Sequence, residues 1–395
     1  MSLLIRLSIG AFSTLVLLGR SEAQTSLPNW YTIGPGFTAS FNKPSVNDAG
    51  QTAYLAPGAF VLGVPGTPAQ RNLQAFLESA GLGLDVAYCV VGDNGRVGYM
   101  LERGLIDDFP GAGQILASEN GQVPSLPTGV QFHPNTFSDS QSIPWHFAMS
   151  PSGVFVLSAV LNGTGVITTG TSNINDQVVL RGPAGDFKAI VRAADVAPGL
   201  PAGYVFVGQQ TRRFDAVINR SGTTAIRTRA TQWKPGFPFP SQNAEGIWLH
   251  DPVGGLQLAV TAVSQGTNPR GDTAPGTDGG RFTDITLGPA INDQGYIAFA
   301  ANTFNFAANP PSKSGIWSGP TNDLQPVHLF AAPVPGLPGV TFDTPFNNAS
   351  IKLGTGRTVC FTTALAGAGV TSANNVGMFI GTSTNDVRLL ARIGA

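Results

Sequence analysis

One eleven-residue phrase recurs six times along this 395-residue chain. Aligned on a glycine it reads SVNDAGQTAYL at Gly50, VVGDNGRVGYM at Gly95, AMSPSGVFVLS at Gly153, VINRSGTTAIR at Gly222, AINDQGYIAFA at Gly295 and IKLGTGRTVCF at Gly356. Units repeated in this way cannot each bury an apolar face alone, so they must stack on their neighbours. Asn47, Asn219 and Asn292 stand three residues before the glycine, and Gly92, Ser150 and Leu353 fill that place elsewhere. Asn at the first position of a type I turn caps it through its side chain. Gly at the fourth takes the left-handed conformation that lets the next strand pair back. On this reading Gly295→Val costs on the order of 1–3 kcal/mol, and Asn292→Ala about 1 kcal/mol. Three and four residues past the glycine come a small or β-branched residue and a usually larger one: Ala53-Tyr54, Gly98-Tyr99, Val156-Leu157, Ala225-Ile226, Ala298-Phe299 and Val359-Cys360. The first allows close backbone approach, and the second fills core.

Other fixed points surround the hairpin. A Pro-Gly turn leads into a strand carrying Phe37, Phe206, Phe282 or Phe342, and the segments GIW at Trp248, GIW at Trp317 and GMF at Phe379 follow the hairpin. The alternating runs LQLAV, VHLFA and VRLLA come next, making about four strands per unit. Four short strands repeated six times predict an all-β fold, a six-bladed β-propeller. A β-solenoid or paired β-sandwiches is the alternative. The expected organisation is a signal peptide over 1–23 and a single domain over 24–395, with approximate units 34–82, 83–125, 126–198, 199–275, 276–335 and 336–395. RNLQAFLESAGL, from Arg71 to Leu82, reads as a helical insertion between the first two units.

Arg6 precedes the apolar run LSIGAFSTLVLLG, and Ser21 and Ala23 hold the small-residue positions of a cleavage site. Later stretches are too short in apolar residues to cross a bilayer, so the mature chain is expected to be secreted or periplasmic, or held at the cell surface, with no membrane span. Charged residues make up only 11% of the chain and the net charge is −1, which argues against nucleic acid or anionic lipid as partners. Gly (50) and Pro (30) are spread throughout, as many short strands and turns require. Cys89 and Cys360 fall in different units at different places relative to the turn, and two buried free thiols are expected.

These residues resemble a family of exported bacterial tandem-repeat proteins, the "choice-of-anchor" type, named for an Asn-x-x-Gly-x-x-Ala-Phe motif. The closest match is INDQGYIAFAA, and the likeness is clearest from Pro198 onward. The resemblance implies export and repeats, and it brings no catalytic residue.

The search for chemistry is mostly negative. The chain lacks Gly-x-Ser-x-Gly, His-Glu-x-x-His, a Walker loop and Cys-x-x-Cys. GPGFTA from Gly34 opens a strand rather than a dinucleotide site, and VNDAGQTA lacks the Ser and aromatic of an Asp box. His133, His146, His250 and His328 show no metal-ligand spacing, so neither metal nor cofactor is expected. Asp272 and Asp278, in a Gly-rich loop that also holds an RGD tripeptide, read as parts of a polar turn. Asp107-Asp108 reads as a solvated turn. Trp248, Trp317 and Phe379 share a repeat position and are expected in the core, whereas Trp233 lies in a Pro-rich loop.

One register position stands apart. Seven residues before the turn glycine the units carry Lys43, Tyr88, His146, Asp215, Gly288 and Ala349, while two positions later Ser45, Val90, Ala148, Val217, Ala290 and Ile351 read as packing. If this strand is the innermost of each blade, Lys43, Tyr88, His146 and Asp215 converge at a channel mouth beside Trp145, forming a candidate ligand site. Three functions follow as candidates. The first is a binding module for a glycan or surface protein, the second a polysaccharide hydrolase or lyase assembled from several blades, and the third a structural matrix component.

Overall fold

The computed structural model describes strand backbones between residues 45 and 113, with side chains there only for Arg96, Val97, Gly98 and Leu105. From Gln114 it describes the chain apart from 137–146, 169–174, 208–213, 233–241, 264–270, 306–311, 344–350 and 394–395. The described residues fold into six antiparallel sheets taken in chain order. Sheet 1 is β1 (Ser45–Val46), β2 (Thr52–Ala56), β3 (Ala59–Val64) and β4 (Thr67–Arg71). Sheet 2 is β5 (Val86–Val91), β6 (Val97–Leu101), β7 (Gly104–Phe109) and β8 (Ala112–Ser118). Sheet 3 holds β9 (Val130–Phe132), β10 (Phe147–Met149), β11 (Phe155–Gly163), β12 (Gln177–Gly182) and β13 (Lys188–Arg192). Sheet 4 holds β14 (Tyr204–Val207), β15 (Asp215–Ile218), β16 (Thr224–Gln232), β17 (Gln242–Asp251) and β18 (Gly255–Val263). Sheet 5 is β19 (Arg281–Ile291), β20 (Ile297–Phe304), β21 (Ser312–Gly319) and β22 (Gln325–Leu329). Sheet 6 holds β23 (Val340–Phe342), β24 (Ile351–Leu353), β25 (Val359–Gly367), β26 (Val376–Gly381) and β27 (Arg388–Arg392).

Each sheet has four strand positions. In sheets 3, 4 and 6 the first position is split, so that β9 and β10 share β11, β14 and β15 share β16, and β23 and β24 share β25. In sheet 5 the same path is the unbroken β19, whose register slips between Phe282 and Asp284, Ile285 and Leu287, and Leu287 and Ala290. Helix is confined, among the described residues, to a single 3-10 turn at Pro134–Thr136. The segment Asn72–Leu82 lies outside the described residues, while Arg71 ends β4. Asp107 and Asp108 lie within β7, not in a turn.

The strands of sheets 3, 4 and 5 read as continuous apolar runs because both faces of each of these sheets are covered. Ile226 and Trp248 of sheet 4 pack with Val156 and Val179 of sheet 3. Their neighbours Ala225 and Ile247 pack with Phe282, Phe299 and Trp317 of sheet 5. Leu105 and Leu116 join sheet 2 to Phe155 and Leu157, and Ala298 and Ile316 join sheet 5 to Phe361 and Phe379. Contacts between first-position strands run in order from β1 to β5, β10, β15, β19 and β24.

The repeated aromatics sit at these junctions. Trp248, Trp317 and Phe379 are fully buried and meet Phe206, Phe282 and Phe342 edge-on at 4.9, 5.0 and 5.0 Å. The two indoles also donate Nε1–H to Pro198 O (2.9 Å) and Pro275 O (3.1 Å) of the Pro-Gly turns. Gly98 shows why a small residue is wanted after the turn. A Cβ there would sit 2.6 Å from the Phe147 ring and 2.8 Å from Phe155.

The turns answer why the phrase is repeated. Gly153, Gly222 and Gly295 have φ of +84°, +88° and +76°, and each donates its N–H to the residue three places earlier. Oδ1 of Asn292 accepts the N–H groups of Gln294 and Tyr296, both at 3.0 Å, and Oδ1 of Asn219 accepts that of Thr223 at 2.8 Å. The other end of each amide leaves the turn. Asn219 Nδ2 donates to Asn292 O (2.8 Å), and Asn292 Nδ2 donates to Gly354 O (2.8 Å) and Gly356 O (2.9 Å). Asn219 and Asn292 therefore each join their own turn to the turn of the next sheet.

Where Asn is missing, Arg takes over. Ser150 caps its own turn through Val154 N–H (3.0 Å) but has no second arm, and Arg181 Nε of β12 instead reaches Gly222 O at 3.0 Å. Arg96, just past the turn glycine of sheet 2, packs on Gly153 and lies over the Phe155 ring.

Sheet 6 corrects the alignment by one residue. Gly354 N donates to Thr358 O, and Phe361 pairs opposite Phe379 as Phe299 does opposite Trp317. Gly354, not Leu353, therefore holds the Asn position, and Phe361, not Cys360, is the core aromatic. The left-handed glycine moves forward to Gly356, φ +61°. Cys360 is a free thiol whose pKa burial raises, and the side chain of Cys89 lies outside the described residues.

Candidate functional site

Of the residues predicted for the ligand site, Lys43, Trp145 and His146 lie outside the described residues, and Tyr88 is placed as backbone in β5. Asp215 opens β15. Gly288 lies against β20, where a Cβ would come within 3.1 Å of Ala298 O. The register correction in sheet 6 replaces Ala349 with Ser350, outside the described residues, and Ile351 with the exposed Lys352.

Asp215 belongs to a charged cluster between sheets 4 and 5. It pairs directly across from Arg227 of β16, whose next partner on β17 is Ile247. Arg227 shares a face with Ala225, and Glu245 with Ile247, so both point towards sheet 5. Arg227 Nη1 donates to Asp215 Oδ2 at 3.1 Å, and its Nε donates to Glu245 Oε1 at 2.7 Å. Glu245 Oε2 accepts Ile285 N–H of β19 at 3.2 Å, one residue on from Asp284. Side-chain exposure falls from 22% at Asp215 to 13% at Arg227 and 7% at Glu245, so the cluster opens on the Asp215 side.

Burial governs the electrostatics. Desolvation pushes the Glu245 pKa up to about 7, with the hydrogen bond and charge of Asp284 adding to it and Arg227 opposing. Desolvation acts to lower the Arg227 pKa, but Glu245 and Asp215, helped by Asp284, hold it above its ordinary value. The arrangement supplies a carboxyl whose pKa burial raises, together with a guanidinium fixed in orientation by two acids.

Asp215 stood out in the sequence, but Arg227, Glu245 and Asp284 did not. The repeat register carried their signal. Arg227 occupies a position that holds Leu55, Met100, Ser158, Ala300 and Thr362 in the other sheets, and Glu245 one that holds Gln177, Ser314 and Val376. A charge at an otherwise uncharged repeat position was the clue.

Other candidates carry less. Asp272 Oδ2 accepts Thr261 N–H at 2.7 Å and Asp278 pairs with Lys313 at 3.3 Å, so the two acids of that loop serve separate partners. No group of metal-ligating side chains occurs among the described residues. No described helix is long and apolar enough to cross a membrane.

Six antiparallel sheets in chain order, with sheets 3 to 6 hydrogen-bonded at their turns, define an all-β repeat protein. The chain belongs to the family of unknown function DUF7453, whose model matches residues 83–267 and 260–395. No curated protein matches the sequence. Solved structures of similar chains include the tricorn protease, at 9% identity and a TM-score of 0.42 over 89% of this chain and 30% of that one. Polysaccharide lyase Uly1 is similar at 10% identity and TM-score 0.39, over 95% and 85% of the two chains. Zg3597, a family 117 glycoside hydrolase of Zobellia galactanivorans, is similar at 10% identity and TM-score 0.31, over 70% and 75%.

Proposed function

We propose that this chain is an exported binding module, a six-bladed propeller closed between sheets 6 and 1, that recognises a glycan or a surface protein at the mouth beside Asp215. The observation that carries the reading is the placement of charge. In a chain with only 11% charged residues, Asp215, Arg227, Glu245 and Asp284 gather next to the first-position strands β15 and β19. A partly exposed carboxylate backed by an oriented guanidinium offers the directional hydrogen bonds that hydroxyl-rich ligands need. The ring register extends the site towards Lys43, Tyr88 and His146, with Trp145 alongside. The test is a glycan and extracellular-protein binding screen on residues 24–395. Saturable binding lost in Asp215→Asn at unchanged melting temperature is expected, and binding indifferent to that change overturns the assignment of the site. Export is checked by sequencing the N-terminus of the secreted product, expected to begin after Ala23.

Glu245, with its raised pKa, and Asp284 on the neighbouring sheet favour a second reading, in which the two acids cleave a polysaccharide. Release of new chain ends from oligosaccharides, abolished in Asp284→Asn, would establish that reading over simple binding.

A further inference from the structure

We propose that the junction between sheets 3 and 4 holds an oxyanion site, formed by Arg181, Thr224 and His250, for a carboxylate, sulfate or phosphate group. Two side-chain atoms there are buried and make no hydrogen bond: Oγ1 of the fully buried Thr224, and Nδ1 of His250. Buried polar groups are nearly always paired, so two orphans side by side point to something that pairs them. They are neighbours by strand register. Thr224 of β16 lies directly opposite His250 of β17, in step with Ile226 and Trp248, which pack on sheet 3. Both side chains therefore face sheet 3, roughly 5 Å apart at their Cβ atoms.

Sheet 3 supplies the charge. Arg181 of β12 is in step with Val179, a member of the same core, and so faces sheet 4. Its Nε–H donates to Gly222 O at 3.0 Å, two residues before Thr224. A Cβ on Gly222 would lie 2.6 Å from Arg181 Nη2 and 3.7 Å from Pro252 Cγ, so the guanidinium and the β17–β18 hairpin meet at this turn. Among the described residues the Nη groups of Arg181 make no hydrogen bond or ion pair. The acid of this corner, Asp251, is turned to its own hairpin, where Oδ1 accepts the N–H groups of Val253 (2.9 Å) and Gly254 (2.8 Å). The other partners of Thr224 and His250 across the sheet are Ile218 and Leu256, both apolar.

The donor set suits an anion. Arg181 offers a fork of N–H groups, Thr224 a hydroxyl, and His250 a ring N–H in the tautomer with its proton on Nδ1. Burial first, and the Arg181 charge second, lower the His250 pKa against its own carbonyl and Asp251. At neutral pH the corner thus carries a neutral ring and one guanidinium.

The repeat register sets this corner apart. The position of His250 is glycine in sheets 3, 5 and 6, as Gly182, Gly319 and Gly381, and that of Thr224 is Phe155, Ile297 and Val359. A Cβ at Gly182 or Gly319 would run into the main-chain oxygen of Asp186 or Asp323 across the hairpin. In those three sheets the outer ladder stops one residue short of the glycine, whereas in sheet 4 it continues through His250 to Asp251 and frees the position for a side chain. Arg181 likewise stands where sheets 4, 5 and 6 carry Leu249, Ser318 and Ile380. Three departures from the repeat meet here, on the opposite face of sheet 4 from the Asp215 cluster.

The experiment titrates the full chain with sodium sulfate, phosphate and acetate at an ionic strength held constant with chloride. It follows the His250 ring by NMR, assigned through His250→Gln, together with the melting temperature. A saturable ring shift with at least one oxyanion, and a rise in melting temperature with the same salt, are expected. Thr224→Val, which copies Val359 of sheet 6, should weaken the apparent affinity several-fold and Arg181→Gln about tenfold or more, while Asp215→Asn binds as wild type does. If Arg181→Gln fails to fold for want of its bond to Gly222, Thr224→Val and the wild-type titration decide. Displacement of the ion by a sulfated or uronate-containing oligosaccharide marks the group as part of a larger ligand, and no displacement marks the free ion as the ligand. A shift that is linear and equal in chloride overturns the proposal, as does an affinity unchanged in Thr224→Val and Arg181→Gln. So does a corner filled by water alone, with every salt without effect.

Discussion

Asn292 engages four hydrogen-bond partners through one buried amide, two in its own turn and two in the next sheet. Gly295 beside it has φ +76° and open space where a Cβ would go. Gly295→Ala therefore pays conformational strain alone, about 1–2 kcal/mol, while Asn292→Ala forfeits bonds worth about 2–4 kcal/mol together. Urea melts should rank Asn292→Ala as more damaging than Gly295→Ala. His328 gives a second residue-scale prediction. Its ring is wedged against Phe342 at 4.0 Å and Phe361 at 5.4 Å, and burial pushes its pKa down to about 3. The unfolded chain takes up this proton first, so stability is full above about pH 6.5 and falls as pH drops towards 3. His328→Leu should flatten that acid limb in pH-dependent melts. A single sequence shows which residues are unusual, as it did for Asp215, but whether Arg227, Glu245 and Asp284 reach the same point depends on strand register. That register was legible only where the turn kept its usual length.

Among the elements, the hairpins were the most readable because turn chemistry and strand chemistry agreed locally. Asn and Gly at fixed spacing specify the turn, and Ala-Phe or Ala-Ile specifies a strand with a packed residue on each face. Features set by longer pairings were not readable. The split first strand of sheets 3, 4 and 6 depends on β16 or its equivalents being long enough to hold two partners. The Pro-Gly turn also recurs before sheet 3, disguised as Pro124-Ser125, where Ser125 takes φ +64° and its Oγ accepts Ala189 N–H. The aromatic position offers a clean test at this scale. Trp317→Phe keeps a ring, as Phe379 does naturally, but strands Pro275 O and leaves a small void. A loss of about 1–2 kcal/mol is expected in chemical denaturation, and no loss would show that the indole N–H bond adds nothing.

At the scale of the whole molecule, each sheet is only half a core until its neighbour arrives. Removing residues 336–395 would expose Ala298, Ala300, Ile316 and Val327, which are buried against sheet 6. Such a truncation is expected to bind hydrophobic dye and lose its sharp thermal transition, and a cooperative melt near that of the full chain would contradict this account. Closure of the ring is the matching prediction. Gly354 has no side-chain arm to hand on to sheet 1, so any bond across that seam must come from elsewhere.

The junction between neighbouring turns has a further consequence, for ancestry. The side chains of Arg181, Asn219 and Asn292 that cross it donate to main-chain carbonyls, those of Gly222, Asn292, Gly354 and Gly356, while Asp293 Oδ1 and Gln294 Oε1 accept the N–H groups of Arg220 and Gly356. Main-chain groups do not mutate. A gene segment encoding one unit can thus be duplicated, or replaced by a drifted copy, and still present its neighbour with the same docking points. The faces between sheets are then free to diverge into Ala, Phe, Arg or Glu while the order of the units persists.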